Sequence, residues 1–210
     1  MELAIYSVVV LLSYLLGSIP TGYLAGRLQG VDIRAVGSGN IGATNVFRAL
    51  GKTAGFTVLA IDALKGFAAC RWVPLLFGAP VPEDMTIAAG VAAILGHNYT
   101  CWLRFKGGKG IATSAGVLLG WLPWALAIVL GLWGIVFGVS RYVSLASITA
   151  ALALPLAAWV TGGSPRMIGI AAMVGALAIY KHHSNIRRLI NGTEHRFGAT
   201  KQPVSTEPTS

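Results

Sequence analysis

A chain of 210 residues could make one or two ordinary soluble domains, but 55% of its residues are hydrophobic and only 11% charged, against about a quarter charged in soluble globular proteins. With a mean hydropathy of +0.69, this argues against a soluble enzyme and, outside the tail, against an intrinsically disordered chain. The formal charge of +9 does not point to nucleic acid, because the basic residues are scattered between apolar runs with no aromatic-interleaved stripe or zinc spacing. The expected partner is a lipid bilayer.

In chain order, apolar runs near 3–26, 54–77, 86–102, 111–120 with a few added residues, 123–140, 144–160 and 166–181 predict seven helices, all but the short fourth about the length that crosses the hydrocarbon core. The predicted fold class is therefore all-α: a polytopic integral membrane protein with seven transmembrane helices. The first run follows Glu2 with no basic segment before it and no small-residue cleavage pattern, so it is expected to be retained rather than removed as a signal peptide. Residues 1–200 are expected to form one transmembrane domain and 201–210 a disordered tail. Thirteen of the sixteen Lys and Arg residues lie in 27–52, 104–109, 141 and 181–201, whereas the opposite side holds only Arg166. By the positive-inside rule the N-terminus is expected outside and the C-terminus in the cytoplasm. Trp121, Trp124 and Trp159 fall where an outer aromatic belt would place them. The many Gly and Ala residues within the runs suit close helix packing. Cys70 and Cys101 lack metal or CxxC spacing and read as buried free thiols.

The glycine-rich polar segments all lie on the expected cytoplasmic side. The first, Gly37-Ser38-Gly39-Asn40-Ile41-Gly42-Ala43-Thr44-Asn45-Val46-Phe47-Arg48, reads as a loop entering a short helix with Asn40 near its N-cap. Free N–H groups at a helix start, small residues and Arg48 one turn beyond Thr44 and Asn45 make an anion-binding layout; an ordinary capped re-entrant loop is the alternative. Within the second run, Asp62 and Lys65 lie three apart on one helical face, which marks either an interior polar site or a structural ion pair.

Gly96-His97-Asn98, followed by Arg104-Phe105-Lys106-Gly107-Gly108-Lys109-Gly110-Ile111-Ala112-Thr113, resembles a phosphate nest. It is not a Walker A loop, since Gly110 stands where Ser or Thr is required after Lys109. A flexible basic turn is the alternative. In Lys181-His182-His183-Ser184-Asn185-Ile186-Arg187-Arg188-Leu189-Ile190-Asn191-Gly192-Thr193-Glu194, a helix would put His182, Asn185 and Leu189 on one face, unless the segment only binds anionic lipid. No nucleophile elbow, HExxH motif or metal-spaced His/Cys cluster occurs, and no His has Asp at the fifth position after it, so no metal and no covalent serine mechanism is expected.

Together, GSGNIGATNVFR at 37–48, DALKG at 62–66, GHN and FKGGKGIAT at 96–113 and HHSNIRRLINGTE at 182–194, with Gly17-Ser18-Ile19-Pro20 in the first run, closely resemble the bacterial membrane glycerol-3-phosphate acyltransferase family, PlsY, over about residues 10–196. Tyr99-Thr100-Cys101 departs from that pattern by lacking a proline. The resemblance implies a seven-helix inner-membrane enzyme, without cofactor, that moves an acyl group from acyl phosphate to the sn-1 hydroxyl of glycerol 3-phosphate. It would yield lysophosphatidic acid and phosphate. The acyl phosphate would come from a separate acyl-phosphate-forming enzyme, and a monomer is expected.

On that resemblance Ser38, Asn45, Lys109, His182 and Asn185 are expected to be catalytic. Gly39, Asn40, Thr44, Arg48, Lys65, His97, Lys106, Gly107, Gly108, Thr113, Arg188 and Glu194 are expected to bind substrate or its phosphate, the last two of them as supports. An acyl phosphate is already an activated carbonyl, so alignment and charge stabilisation suffice in place of a nucleophilic triad. The competing class is a membrane transporter of phosphorylated anions, for which the short, featureless outer turns are poorly suited; a lipid-binding structural protein would not need three polar loops on one face.

Overall fold

The computed structural model describes residues 2–198; the expected tail at 201–210 lies outside them. Among the described residues there are no strands, and ten α-helices follow in order: α1 Glu2–Ser18, α2 Thr21–Leu28, α3 Ala43–Leu50, α4 Lys52–Arg71, α5 Glu83–Asn98, α6 Ile111–Trp121, α7 Pro123–Ser140, α8 Val143–Val160, α9 Pro165–Lys181 and α10 His183–Ile190. Among the described residues, four segments are long and apolar enough to cross a membrane: Glu2–Leu28, Lys52–Phe77, Pro123–Ser140 and Val143–Val160. The other three predicted runs form helices too, but α5, α6 and α9 are shorter, at 16, 11 and 17 residues.

Three boundaries differ from the hydropathy reading, each for a local reason. The first run is broken at Ile19–Pro20, because Pro20 has no N–H to continue the ladder and sits at φ −86°, ψ 70° before α2. The second run ends as α4 at Arg71 and turns through a 3-10 segment, Pro74–Phe77. The third ends as α5 at Asn98, and a 3-10 turn at Cys101–Leu103 follows. Thr100 opens that turn at φ −64°, the angle a proline ring enforces, and its hydroxyl donates to Ser18 O at 2.6 Å. The segment thus keeps a proline-like geometry without proline.

The helices fall into two groups. In the first, α1 packs on α5 and α4 on α6, backbone against backbone: a Cβ at Gly17 or Gly96 would overlap the facing helix, as would one at Gly66 or Gly116. This is the small-residue packing that membrane helices use where burying apolar surface gives no drive. In the second group α7, α8 and α9 pack in sequence. The groups share one core in which Val117 and Leu118 of α6 meet Leu126, Val129, Leu154 and Val174. Trp121 is not a free belt residue: its Nε1 donates to Thr86 O at 3.2 Å and its ring lies against Gly90. Trp124 and Trp159 are exposed. The two short helices with the strongest apolar and polar faces, α3 and α10, lie at the end where the groups part.

Candidate active site

The parting of the groups encloses a cavity of about 280 Å³. Its wall takes Ser38, Asn40, Thr44, Asn45 and Arg48 from the α3 region, Asp62 from α4, His97 from α5 and Lys109 from the loop before α6. Trp133, Ser144 and Ser147 come from the second group, and His182, Asn185 and Glu194 from the C-terminal segment. Each of the four polar stretches picked out by sequence therefore contributes residues to one place.

Asn45 is buried, and its amide is fully engaged: Nδ2 donates to Ile33 O at 3.0 Å and Val36 O at 2.9 Å, while Oδ1 accepts from the Ser38 N–H at 2.9 Å. It lines the cavity as a brace that shapes the loop rather than as a reacting group. Asn40 is not the N-cap of α3. That place belongs to Gly42, and Asn40 Oδ1 accepts the Gly42 N–H at 2.8 Å in a local turn. Gly39 adopts φ +68° and approaches Arg34 O, outside the cavity wall. The loop is closed from beneath by Ile33, Ile41, Val46 and Val58, all buried together.

Gly107 and Gly108 do not form the expected nest. The Gly107 N–H donates to Asn98 O at 3.2 Å and the Gly108 N–H to His97 O at 3.0 Å, so neither amide is free for an anion. A Cβ on either glycine would overlap α5, on the backbone at Gly107 and on the His97 ring at Gly108. The glycines let the loop lie flat on the end of α5, and that contact presents Lys109. Lys106 is exposed and outside the cavity wall, and Thr113 is wholly buried behind it.

Lys109 Nζ donates to Asn185 Oδ1. Asn185 Nδ2 donates to Glu194 Oε1 at 2.7 Å, Ser144 Oγ donates to the same oxygen at 2.8 Å, and Arg188 Nε donates to Oε2 at 2.7 Å. Glu194 is thus an anchor, and Arg188 acts through it from outside the wall. Burial works to raise the Glu194 carboxyl, but hydrogen bonds from Asn185, Arg188 and Ser144 hold it below the usual carboxylate range. Burial, with the cations Arg188, Arg48 and Lys181 nearby, pushes the Lys109 ammonium down to about 8 despite Glu194. Burial, and then Lys109, push the His182 imidazole down to about 4. Since a carbonyl only accepts, the 2.7 Å contact of His182 Nδ1 with Ala178 O places the proton of the neutral ring on Nδ1 and leaves Nε2 as an acceptor. His182 is not inside α10 but at the junction capping α9.

At the inner end of the cavity Asp62 Oδ1 meets Lys65 Nζ at 2.8 Å, the Thr21 hydroxyl at 2.9 Å and His97 Nδ1 at 3.6 Å. Lys65 Nζ also donates to Ile19 O at 2.8 Å, a carbonyl exposed by the break before Pro20. Lys65 is therefore a buried brace across that break, absent from the cavity wall, while Asp62 faces the cavity. Asp62 was legible as a costly intramembrane charge but was not among the expected site residues. Ser144 and Ser147 gave less signal: two serines three apart at the start of an apolar helix. Trp133, whose Nε1 donates to Ser147 Oγ at 3.1 Å, was indistinguishable from any apolar residue of α7.

An apolar slot of about 70 Å³ adjoins the cavity and shares Ile111, Ala115, Leu130, Trp133 and Ser147 with it; Leu118, Leu126, Leu154 and Val174 line it further in.

A multi-pass membrane protein with one polar, cation-lined chamber at a helix-bundle end is the class these features define. A sequence model described as "Glycerol-3-phosphate acyltransferase" matches residues 7–192, and the chain belongs to that family. It is 48% identical to the glycerol-3-phosphate acyltransferase of Geobacter sulfurreducens over 89% of this chain and 95% of that one. It is 45% identical to that of Aquifex aeolicus, over 90% and 97%. The fold is similar to crystal structures of PlsY (YgiH), an integral membrane glycerol 3-phosphate acyltransferase. The glycerol 3-phosphate form matches with a TM-score of 0.86, at 44% identity over 92% of this chain and 96% of that one. The lysophosphatidic acid form matches with a TM-score of 0.83, at the same identity, over 92% and 95%.

Proposed function

We propose that this chain transfers the acyl group of an acyl phosphate to the sn-1 hydroxyl of glycerol 3-phosphate, releasing lysophosphatidic acid and inorganic phosphate. In this reading it lies in the bacterial inner membrane with seven spans, N-terminus outside, and its chamber opens to the cytoplasm, as the distribution of basic residues supports. The observation that carries the reading is one cavity, made cationic by Arg48 and Lys109 and holding the neutral His182, that adjoins an apolar slot among α6–α9. A polar chamber beside an apolar slot suits a phosphate-bearing acceptor and a donor with a fatty chain.

The two substrates bring roughly three to four negative charges, each phosphate contributing about −1.5 to −2. Arg48 and Lys109 face that charge, with Ser38, Asn40 and Thr44 as hydrogen-bonding neighbours. The acceptor hydroxyl attacks the acyl carbonyl, an ester C–O bond forms, and the C–O bond to the donor phosphate breaks. The Lys109 ammonium stabilises the developing oxyanion and the departing phosphate; Asn185 and Glu194 hold it in place. The hydroxyl proton leaves to the donor's own phosphate or to His182 Nε2. A His182→Ala variant with near-normal turnover assigns it to the phosphate. In the transport alternative a path would cross the protein, yet the cavity at the other end, among Glu2, Tyr6, Pro74 and Met85, shares no lining residue with the chamber.

The test is phosphate release by the purified, lipid-embedded protein from palmitoyl phosphate, with and without glycerol 3-phosphate, and with palmitoyl-CoA as a rival donor. Release that requires glycerol 3-phosphate and ignores the thioester supports the reading. Equal use of palmitoyl-CoA refutes the acyl phosphate donor, and no turnover by folded protein refutes the whole reading.

A further inference from the structure

The C-terminal segment beyond Glu194 makes contacts that the proposed reaction does not use. The Phe197 N–H donates to Arg141 O at 2.8 Å, in the turn between α7 and α8. The Phe197 ring stands 5.0 Å from that of Phe47 on α3 and 5.5 Å from that of Phe137 on α7. Phe47 in turn meets Phe56 of α4 at 5.4 Å, and Phe137 stacks on Trp133 at 5.0 Å. One residue earlier, the Arg196 guanidinium lies over the Tyr142 ring at 5.2 Å. His195 O accepts from Arg48 Nη2 at 3.3 Å. A ladder of five rings therefore joins the two helix groups. It runs from a ring that lines the chamber, Trp133, to the neighbour of a chamber cation, Arg48.

We infer that His195–Phe197 is a clasp across the two helix groups, with Phe197 a positioning residue that sets the width of the chamber mouth and aims Arg48. Phe47 and Arg48 are consecutive on α3, so a ring held against Phe47 fixes the rotation of that helix about its axis and with it the direction of the next side chain. The His195 carbonyl holds the guanidinium from the other side without neutralising it, because a carbonyl takes one N–H and leaves the charge and the remaining donors for a phosphate. Beside its main-chain bonds to Arg141 O and Arg48, which truncation of the ring leaves in place, the link is a ring contact of a segment outside the helices. It is weaker than the helix packing within each group, and truncating one ring opens the mouth without unfolding either group.

The inference rests on the proposed reaction for its kinetic readout, and a second readout does not need that reaction. In a Cys101→Ser, Ala112→Cys background, position 112 lines the chamber and the remaining native thiol, Cys70, is buried. A water-soluble maleimide is expected to label residue 112 roughly five- to tenfold faster when Phe197→Ala is added, the effect of losing about 1 to 1.4 kcal/mol of closure. Phe197→Tyr is expected to keep the parent rate. In the otherwise unaltered chain, Phe197→Ala should raise KM for glycerol 3-phosphate by a similar factor with kcat within about threefold, and should increase phosphate release from palmitoyl phosphate in the absence of acceptor as water enters. Phe197→Tyr should restore both. Unchanged labelling overturns the clasp whether or not the chain is an acyltransferase. Faster labelling with unchanged KM overturns the aiming of Arg48. A Phe197→Ala protein that loses kcat and KM together, with no rescue by Tyr, makes the contact merely structural and overturns the inference as well. Faster labelling in a protein that never turns over retains the clasp and refutes the reaction.

Discussion

Two glycine-rich segments that look alike in the sequence behave in opposite ways. Gly37–Gly42 is a loop braced by the Asn45 amide and seated on α2 through the buried Ile41, and it offers Ser38 and Asn40 to the chamber beside Thr44 of α3. Gly107–Gly108 is pressed onto the end of α5 with both amides engaged, and the residues that reach the chamber come after it, Lys109 and the start of α6 from Gly110 to Ala112. Glycine next to lysine marks close backbone approach as readily as anion binding. Amides in both segments have partners, at Ser38, Gly39 and Gly42 as at Gly107 and Gly108; what separates the two is which side chains the fold turns toward the chamber, which a sequence does not state.

The largest expected effect concerns the lysine itself. Lys109→Met should cut kcat/KM by about a hundred- to a thousandfold, as loss of an oxyanion donor does elsewhere, measured as glycerol 3-phosphate-dependent phosphate release from folded protein. If the second segment bound phosphate through its amides instead, the same variant would mainly raise KM. Gly108→Ala comes next, with a loss of about tenfold to a hundredfold, because its Cβ displaces the His97 ring and moves Lys109 out of line. A Gly108→Ala variant with normal kcat/KM would mean that the loop need not lie on α5. Asn45→Ala removes the brace of the first segment. It should lower the melting temperature and raise KM for glycerol 3-phosphate by roughly tenfold, since it takes the side-chain donor from the buried Ile33 carbonyl and the acceptor from the Ser38 N–H.

The pH profile sharpens the same contrast. The Lys109 ammonium, pushed down to about 8, is present below that pH and lost above it. The kcat/KM of the free enzyme should therefore fall about tenfold per unit once pH exceeds roughly 8. His182, neutral above about 4, adds no limb near 6.5, and His182→Gln should leave the acid side of the profile unchanged. The smallest effect is expected at Arg34, whose ion pair with Asp32 at 2.7 Å is exposed: Arg34→Gln should alter turnover by less than about twofold.

Hydropathy placed an apolar helix on each of its seven runs, because lipid-facing helices advertise themselves by composition, but the first run is two helices and only four segments among the described residues are long and apolar enough to cross a membrane. It could not see that Pro20 breaks the first run and exposes the Ile19 carbonyl that Lys65 reaches, since that consequence depends on a neighbour 46 residues away. Most of the chamber's polar side chains were legible as motifs. The roles of several changed once their hydrogen bonds were known: Asn45 and Asn185 hold other groups, Lys65 acts from behind, and Thr113 is buried away from the wall, while Arg188 keeps the supporting place expected of it. Ser144 and Ser147 were missed because two small polar residues in an apolar helix carry no pattern of their own.

The central claim is that one chamber joins an acyl phosphate to glycerol 3-phosphate directly. The most direct measurement is the ratio of lysophosphatidic acid formed to phosphate released, followed by mass spectrometry and phosphate assay in the same sealed vesicles supplied with palmitoyl phosphate and glycerol 3-phosphate. The account predicts a ratio near one, with both products absent when glycerol 3-phosphate is omitted. Phosphate without lysophosphatidic acid, or glycerol 3-phosphate carried into the vesicles with neither product formed, would contradict it.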